Sequence, residues 1–150
     1  MSTKTLNGSC LCGKITYALD LPASEPNPKI VACHCTSCKK YTGSAFSSNL
    51  MLSPSSIRYT SSTKPSIFTD NSTDSGNPLA RALCSECGSH FTSSPQDAPT
   101  WTALKWGTLD EEARAQCNEL GGEIYCKRRD GWVDGLVKGG EERFKAEGMS

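Results

Sequence analysis

Apolar and polar residues alternate over short stretches of this chain, and most stretches stop at proline, serine or glycine. Ile15, Tyr17 and Leu19 fall on every second position, the period of a half-buried strand. "KIVAC" (29–33) predicts a strand running into a group of cysteines. "AFSSNLML" (45–52), "SIRYT" (56–60) and "PSIFT" (65–69) predict further short strands, and "LARALC" (79–84) another that enters a second cysteine pair. "TWTALKW" (100–106) alternates again, with Trp101, Ala103 and Lys105 on one face and Thr102, Leu104 and Trp106 on the other; "EIYCKR" (123–128) predicts a late strand. Helical signals are few. "TSCKKYTG" (36–43) predicts one helical turn ended by Gly43, and "LDEEARAQC" (109–117) a short helix whose acidic first turn suits the helix dipole. "LPASEPNPK" (21–29) and Thr69–Pro78 predict loops. The sum is a mostly β chain compatible with two small sheets.

Length adds that 150 residues suit one domain, 1–150, with no linker long enough to divide it. The polar end, "KGGEERFKAEGMS", predicts a frayed tail from about residue 138. Sixteen basic and sixteen acidic side chains give a net charge of zero, so no general electrostatic attraction to nucleic acid or to an anionic membrane is expected. No apolar stretch is long enough to span a bilayer. The polar start "MSTKTLNGSC" lacks the apolar run of a signal peptide, which points to a reducing, cytoplasmic setting. There the nine cysteines call for metal or chemistry rather than disulfides.

Seven of them form three groups: Cys10 and Cys12; Cys33, Cys35 and Cys38; Cys84 and Cys87 followed by Gly88. In an extended segment Cys10 and Cys12 would point to the same side. In "CSECG" a tight turn would bring both sulfurs to one ion, with Gly88 taking a backbone conformation that a side chain resists. The two pairs together make a closed, tetrahedral four-cysteine zinc site that clamps the N-terminal strand to the middle of the chain. Cys33, Cys35 and Cys38 supply three thiolates. A catalytic zinc has three protein ligands and keeps one place open, and a soft thiol is the natural guest. His34, His90, Cys117 or Cys126 could instead supply a fourth ligand and close the site. His34, flanked by ligands, is expected to point away from them and to find a packing or hydrogen-bonding partner nearby.

"GSCLCGKITY", "CHCTSCKKYTG", "SGNPLARALCSECGS", "GTLD" and "EIYCKRRDGW" resemble the glutathione-dependent formaldehyde-activating enzyme family, whose domain is shared with the centromere protein V group. The resemblance implies a β-tent (Mss4-like) fold of small antiparallel sheets with short helical turns, stabilised by zinc. It implies two zinc ions per chain: a structural one on Cys10, Cys12, Cys84 and Cys87, and a catalytic one on Cys33, Cys35 and Cys38. It also implies a carbon–sulfur lyase reaction that joins formaldehyde reversibly to glutathione. The chain departs from the family pattern at Glu123, where a histidine commonly precedes Ile-Tyr, and at Leu83, where an aromatic residue commonly precedes the knuckle.

The expected partners are therefore a small-molecule thiol such as glutathione and its adducts, with no nucleic acid and no membrane. Thr36, Ser37, His34, Tyr41 and Glu123 are candidates for moving the proton. Lys39, Lys40, Lys127, Arg128 and Arg129 are candidates for meeting glutathione carboxylates. Two other functions compete: a non-enzymatic β-tent interaction module that keeps only the structural zinc, and a zinc-water hydrolase or dehydratase.

Overall fold

The structure, a computed structural model, describes residues 2–136; the expected tail from about 138 lies outside them. Ten strands build two sheets. The smaller is antiparallel, β1 (Thr3–Ser9), β2 (Thr16–Pro22) and β5 (Ile57–Tyr59), in the order β1-β2-β5. The larger contains β3 (Ile30–Cys33), β4 (Ser47–Leu52), β6 (Ser66–Asp70), β7 (Leu79–Leu83), β8 (His90–Pro95), β9 (Thr102–Lys105) and β10 (Leu120–Ile124). Its order is β10-β3-β4-β9-β8-β7-β6. All its pairs are antiparallel except β10 with β3. Two short helices join the strands, α1 (Thr36–Thr42) and α2 (Glu111–Gln116). This is the mostly β, Mss4-like architecture expected. No helix among the described residues is long and apolar enough to cross a membrane.

The core lies between the sheets. Leu6, Ile15, Tyr17, Leu19 and Leu21 meet Leu50, Ala82, Phe91 and Leu104 of the larger sheet. Tyr17, Tyr59 and Phe91 pack edge to face, with ring centres 5.9–6.4 Å apart, the arrangement that aromatic quadrupoles favour. The second face of the larger sheet lies toward a cleft. Register pairs Met51 with Ala103, Ala103 with Ser93, and Ser93 with Arg81. Side chains alternate across a strand, so this row and its neighbours Asn49 and Lys105 face away from the Leu50–Leu104 core. Thr102–Lys105 is buried at all four positions.

Three local expectations change. β1 and β8 were not signalled by alternation: the buried positions of β1 are Leu6 and Gly8, and β8 carries one large apolar residue, Phe91. Cys10 and Cys12 sit on a turn after β1, not on an extended segment. The late strand ends at Ile124. Tyr125 has φ +56°, which turns the chain into a 3-10 helix over Cys126–Arg128 and leaves Cys126 exposed.

The junction of β1 with its surroundings is the tightest point of the fold. Gly8 pairs with Tyr17 and bridges to Leu109. A Cβ there would lie 2.3 Å from Tyr17 Oη and 2.5 Å from the Thr108 carbonyl oxygen. Tyr17 Oη is itself fixed 2.9 Å from Thr108 Oγ1, so neither neighbour can yield without losing that bond. Gly8→Ala is expected to cost about 1–3 kcal/mol, read as a lower urea midpoint at unchanged slope.

Candidate metal centres

The first cluster joins two turns. After β1 the chain reverses at Cys10–Gly13: the Gly13 amide donates to the Cys10 carbonyl at 3.0 Å, and Gly13 takes φ +76°. This turn, rather than an extended pair, brings both sulfurs to one cluster. The second turn follows β7, where the Gly88 amide donates to the Cys84 carbonyl at 2.9 Å with φ +75°, a left-handed conformation that glycine adopts without a steric penalty. The Leu11 amide donates to Ser89 Oγ at 2.9 Å and ties the two turns together.

The sulfurs of Cys10, Cys12, Cys84 and Cys87 all lie within 4.8 Å of one another. Cys10 and Cys12 are 3.5 Å apart and Cys12 and Cys84 are 3.8 Å apart. A tetrahedral zinc with bonds near 2.3 Å needs sulfurs separated by roughly 3.8 Å. The Ile15 amide points at Cys10 Sγ from 3.3 Å. Hydrogen bonds from the Ser89 hydroxyl and amide hold the Cys87 thiol down at about 5. Four convergent sulfurs served by N–H and O–H donors fit a zinc ion.

The second cluster is assembled by β3 and α1. Cys33 ends β3, Cys35 caps α1, and Cys38 lies in its first turn. Cys35 Sγ accepts the Cys38 amide at 3.3 Å. Gly43 closes the helix with φ +62°, as its position predicted. All three thiols are buried and mutually within 4.8 Å. Hydrogen bonds from the Cys33 and Cys35 thiols, helped by Ser47 and the charge of Lys105, hold Cys38 far below the ordinary thiol range. Cys35 and Cys38 push Cys33 far above it. One negative charge is tolerated here and the next is opposed. A divalent cation removes that conflict, so the donor set fits zinc. Among the described residues no fourth His, Cys, Asp or Glu atom joins this group.

The three cysteines line a cleft of about 370 Å³. Its sheet wall is the face turned away from the core: Asn49, Met51, Ala103, Lys105, Ser93 and Arg81. Lys105 is only 6% exposed. Its Nζ donates to Asn49 Oδ1 at 2.6 Å and to the Ala103 carbonyl at 3.2 Å, and lies 5.4 Å from the centre of the Tyr41 ring. Burial lowers its ammonium to about 8, against the opposing pull of Cys38, Cys33 and Cys35. Asn49 Nδ2 continues the chain to Ser47 Oγ at 2.9 Å. Arg81 is 2% exposed and committed to its neighbours, with Nε and Nη2 on Asp70 Oδ2 at 2.9 and 2.7 Å and Nη1 on Ser93 Oγ at 2.9 Å. Its guanidinium also stacks 4.4 Å from the Tyr41 ring centre.

The residues expected to move a proton do not line the cleft, although Tyr41 packs against the three cysteines. Thr36, Ser37, His34, Tyr41 and Glu123 are all missing from the cleft lining given by the described residues. His34 is fully buried behind the cysteines, 2.9 Å from Glu123 Oε1 through Nε2 and packed against Phe46, the partnered histidine expected. The carboxylate of Glu123 is held low first by His34 and then by Arg129. His90 packs edge-on against Tyr41, and Cys117 lies in the core. The cationic candidates are largely paired: Lys39 with Asp130, Arg128 with Asp74, Arg129 with Glu123 and Asp134. Lys40 and Lys127 are exposed. Lys105, which alternation placed on a strand face without a role, is the polar group that sequence reasoning missed.

Residues 5–128 match the family described as "Glutathione-dependent formaldehyde-activating enzyme". No match was found among curated proteins. A crystal structure of a Rhodobacter sphaeroides protein, solved as a structural-genomics target, superposes with a TM-score of 0.56 at 13% identity over 79% of this chain and 99% of that one. That likeness concerns the fold.

Burial raises the Asp70 carboxyl, but the Ser72 amide and Arg81 outweigh it and leave it below the usual 3.8. The pair therefore contributes stability above that value and loses it as pH falls through the lower folded value. Asp70→Asn strips the buried guanidinium of its counter-charge and is expected to cost about 3–5 kcal/mol at pH 7, measured by urea unfolding. The gap between variant and wild type should narrow below pH 4.

Proposed function

The chain belongs to the glutathione-dependent formaldehyde-activating enzyme family, and from that premise we propose that it is a zinc-dependent carbon–sulfur lyase-type enzyme. It would join a small carbonyl electrophile to a thiol such as glutathione and separate the two again. Cys10, Cys12, Cys84 and Cys87 would hold a structural zinc; Cys33, Cys35 and Cys38 would hold a second, catalytic zinc with one place open. The observation that carries the proposal is the pairing of a three-thiol cluster with a buried lysine in one cleft.

A zinc on three thiolates supplies a soft Lewis-acid position that favours the deprotonated form of an incoming thiol. The rest is the work of the chain. An ammonium has three N–H donors, and Lys105 spends two on Asn49 and Ala103, leaving one for an oxygen in the cleft. As the S–C bond forms, the carbonyl π pair moves to oxygen, and Lys105 Nζ hydrogen-bonds that oxygen and gives it a proton. The proton lost by the thiol to solvent balances the one Lys105 regains. In reverse, Lys105 takes the hydroxyl proton as the S–C bond breaks. Asn49 and the Tyr41 face hold Nζ in position. A value near 8 keeps the proton transferable at neutral pH.

Four outcomes are expected. Purified protein carries two zinc ions per chain by native mass spectrometry, and glutathione adds one Zn–S bond by X-ray absorption; one zinc per chain would leave only an interaction module. Cys35→Ala stays folded and loses the glutathione response. Adduct exchange with formaldehyde, followed by NMR, slows as pH rises past about 8, because the protonated Lys105 is the donor. Lys105→Met lowers that exchange by roughly 100-fold or more and abolishes this descending limb.

A further inference from the structure

The cleft has two unlike sides. Thr73, Asp74, Ser75 and Asn77 of the loop between β6 and β7 give one polar side. Met51, Leu79, Pro95 and Trp101 give an apolar stretch of the lining, while Tyr125 meets Ser75 of the loop. The cysteines and Lys105 share the same cavity. The apolar side follows from register. Met51 and Ala103 are cross-strand partners, Leu79 pairs with Pro95, and all lie on the sheet face away from the core. Met51 and Trp101 remain more than a third exposed despite their size, so apolar surface is left for a ligand to cover. The other cation of the wall, Arg81, is already engaged by Asp70 and Ser93.

A one-carbon aldehyde has no body to place against such a wall and would fill a small part of 370 Å³. Glutathione is polar along its length, so the thiol half of an adduct does not explain the wall either. We propose that the carbonyl half does: the cleft selects an aldehyde bearing an apolar, aryl-sized substituent, which lies against Met51 and Trp101. The thiol's peptide lies toward the polar loop. The inference rests on the thiol-adduct function proposed above and names its substrate class. The reaction is hemithioacetal formation, R–SH plus R′–CHO giving R–S–CH(OH)–R′. One S–C bond forms, the carbonyl π bond is lost, the thiol proton is accounted for on the new hydroxyl, and no oxidant or reductant takes part.

Stable thioethers test this without turnover. Zinc-replete protein is titrated by calorimetry with S-benzylglutathione and S-methylglutathione, which differ only in the group standing for the carbonyl half. Burying the ring is expected to make the benzyl compound bind about tenfold tighter or more. Trp101→Ala and, separately, Met51→Ala should each reduce that preference by severalfold, with the fold checked by circular dichroism. Equal affinities in the wild type, no binding of either compound, or a preference unchanged in both variants would overturn the inference. Glutathione loading at the metal separates the two levels. Loading with equal thioether affinities defeats the substrate class alone, whereas absence of loading defeats the thiol-adduct function itself.

Discussion

Repulsion among converging thiolates is the constraint on which the rest of this structure depends. Seven sulfurs are drawn into two small volumes, and a second negative charge in either place is opposed by the first. The two clusters answer this differently. Around Cys10, Cys12, Cys84 and Cys87, two glycine-closed turns deliver sulfurs from opposite ends of the fold, with hydroxyl and amide donors on Cys10 and Cys87. Around Cys33, Cys35 and Cys38, fewer local donors are present and a buried ammonium stands in the same cleft. A lysine that is buried and partly desolvated is costly. Its placement beside the cysteine trio offsets part of that cost, since Cys38, Cys33 and Cys35 pull its value back up against burial.

The larger sheet makes this arrangement possible because its two faces do different work. Leu50 and Leu104 face the smaller sheet, while Asn49, Met51, Ala103 and Lys105 face the cleft. A slip of one residue in β4 or β9 would exchange the sets, burying Lys105 in the apolar core. The same pairing that fills the core thus fixes Nζ, through Asn49 directly opposite. Stability and site share one register.

The cysteine groups were legible in the sequence because their spacing is local: a turn needs a glycine at a fixed offset, and Gly88 and Gly43 both stand where the backbone turns left-handed. Strands with an apolar row were legible too. β1 and β8 were not, because tertiary pairing rather than their own side chains makes them strands; β1 is held by seven paired positions along β2 with Leu6 as its one large buried side chain. Lys105 was hidden for a similar reason. Its burial is decided by Asn49, 56 residues earlier, and by Tyr41 on another element. Lys39, Arg128 and Arg129 look alike in sequence to a ligand-binding run, yet acidic partners at Asp130, Asp74, Glu123 and Asp134 occupy them.

Tyr41 links these parts. It rides on the helix that carries Cys38, and its ring is bounded by Arg81, Lys105 and His90. His90 follows Cys87 by three residues, so this one ring stands between the two sulfur clusters. With a 4.4 Å edge contact to His90 and a 4.4 Å stack under Arg81, the ring cannot move unless β7 or β8 moves. Cys84 and Cys87 lie on the turn between those strands. Tyr41 thus packs the helix that carries Cys38 against the strand that follows Cys87 and against Lys105.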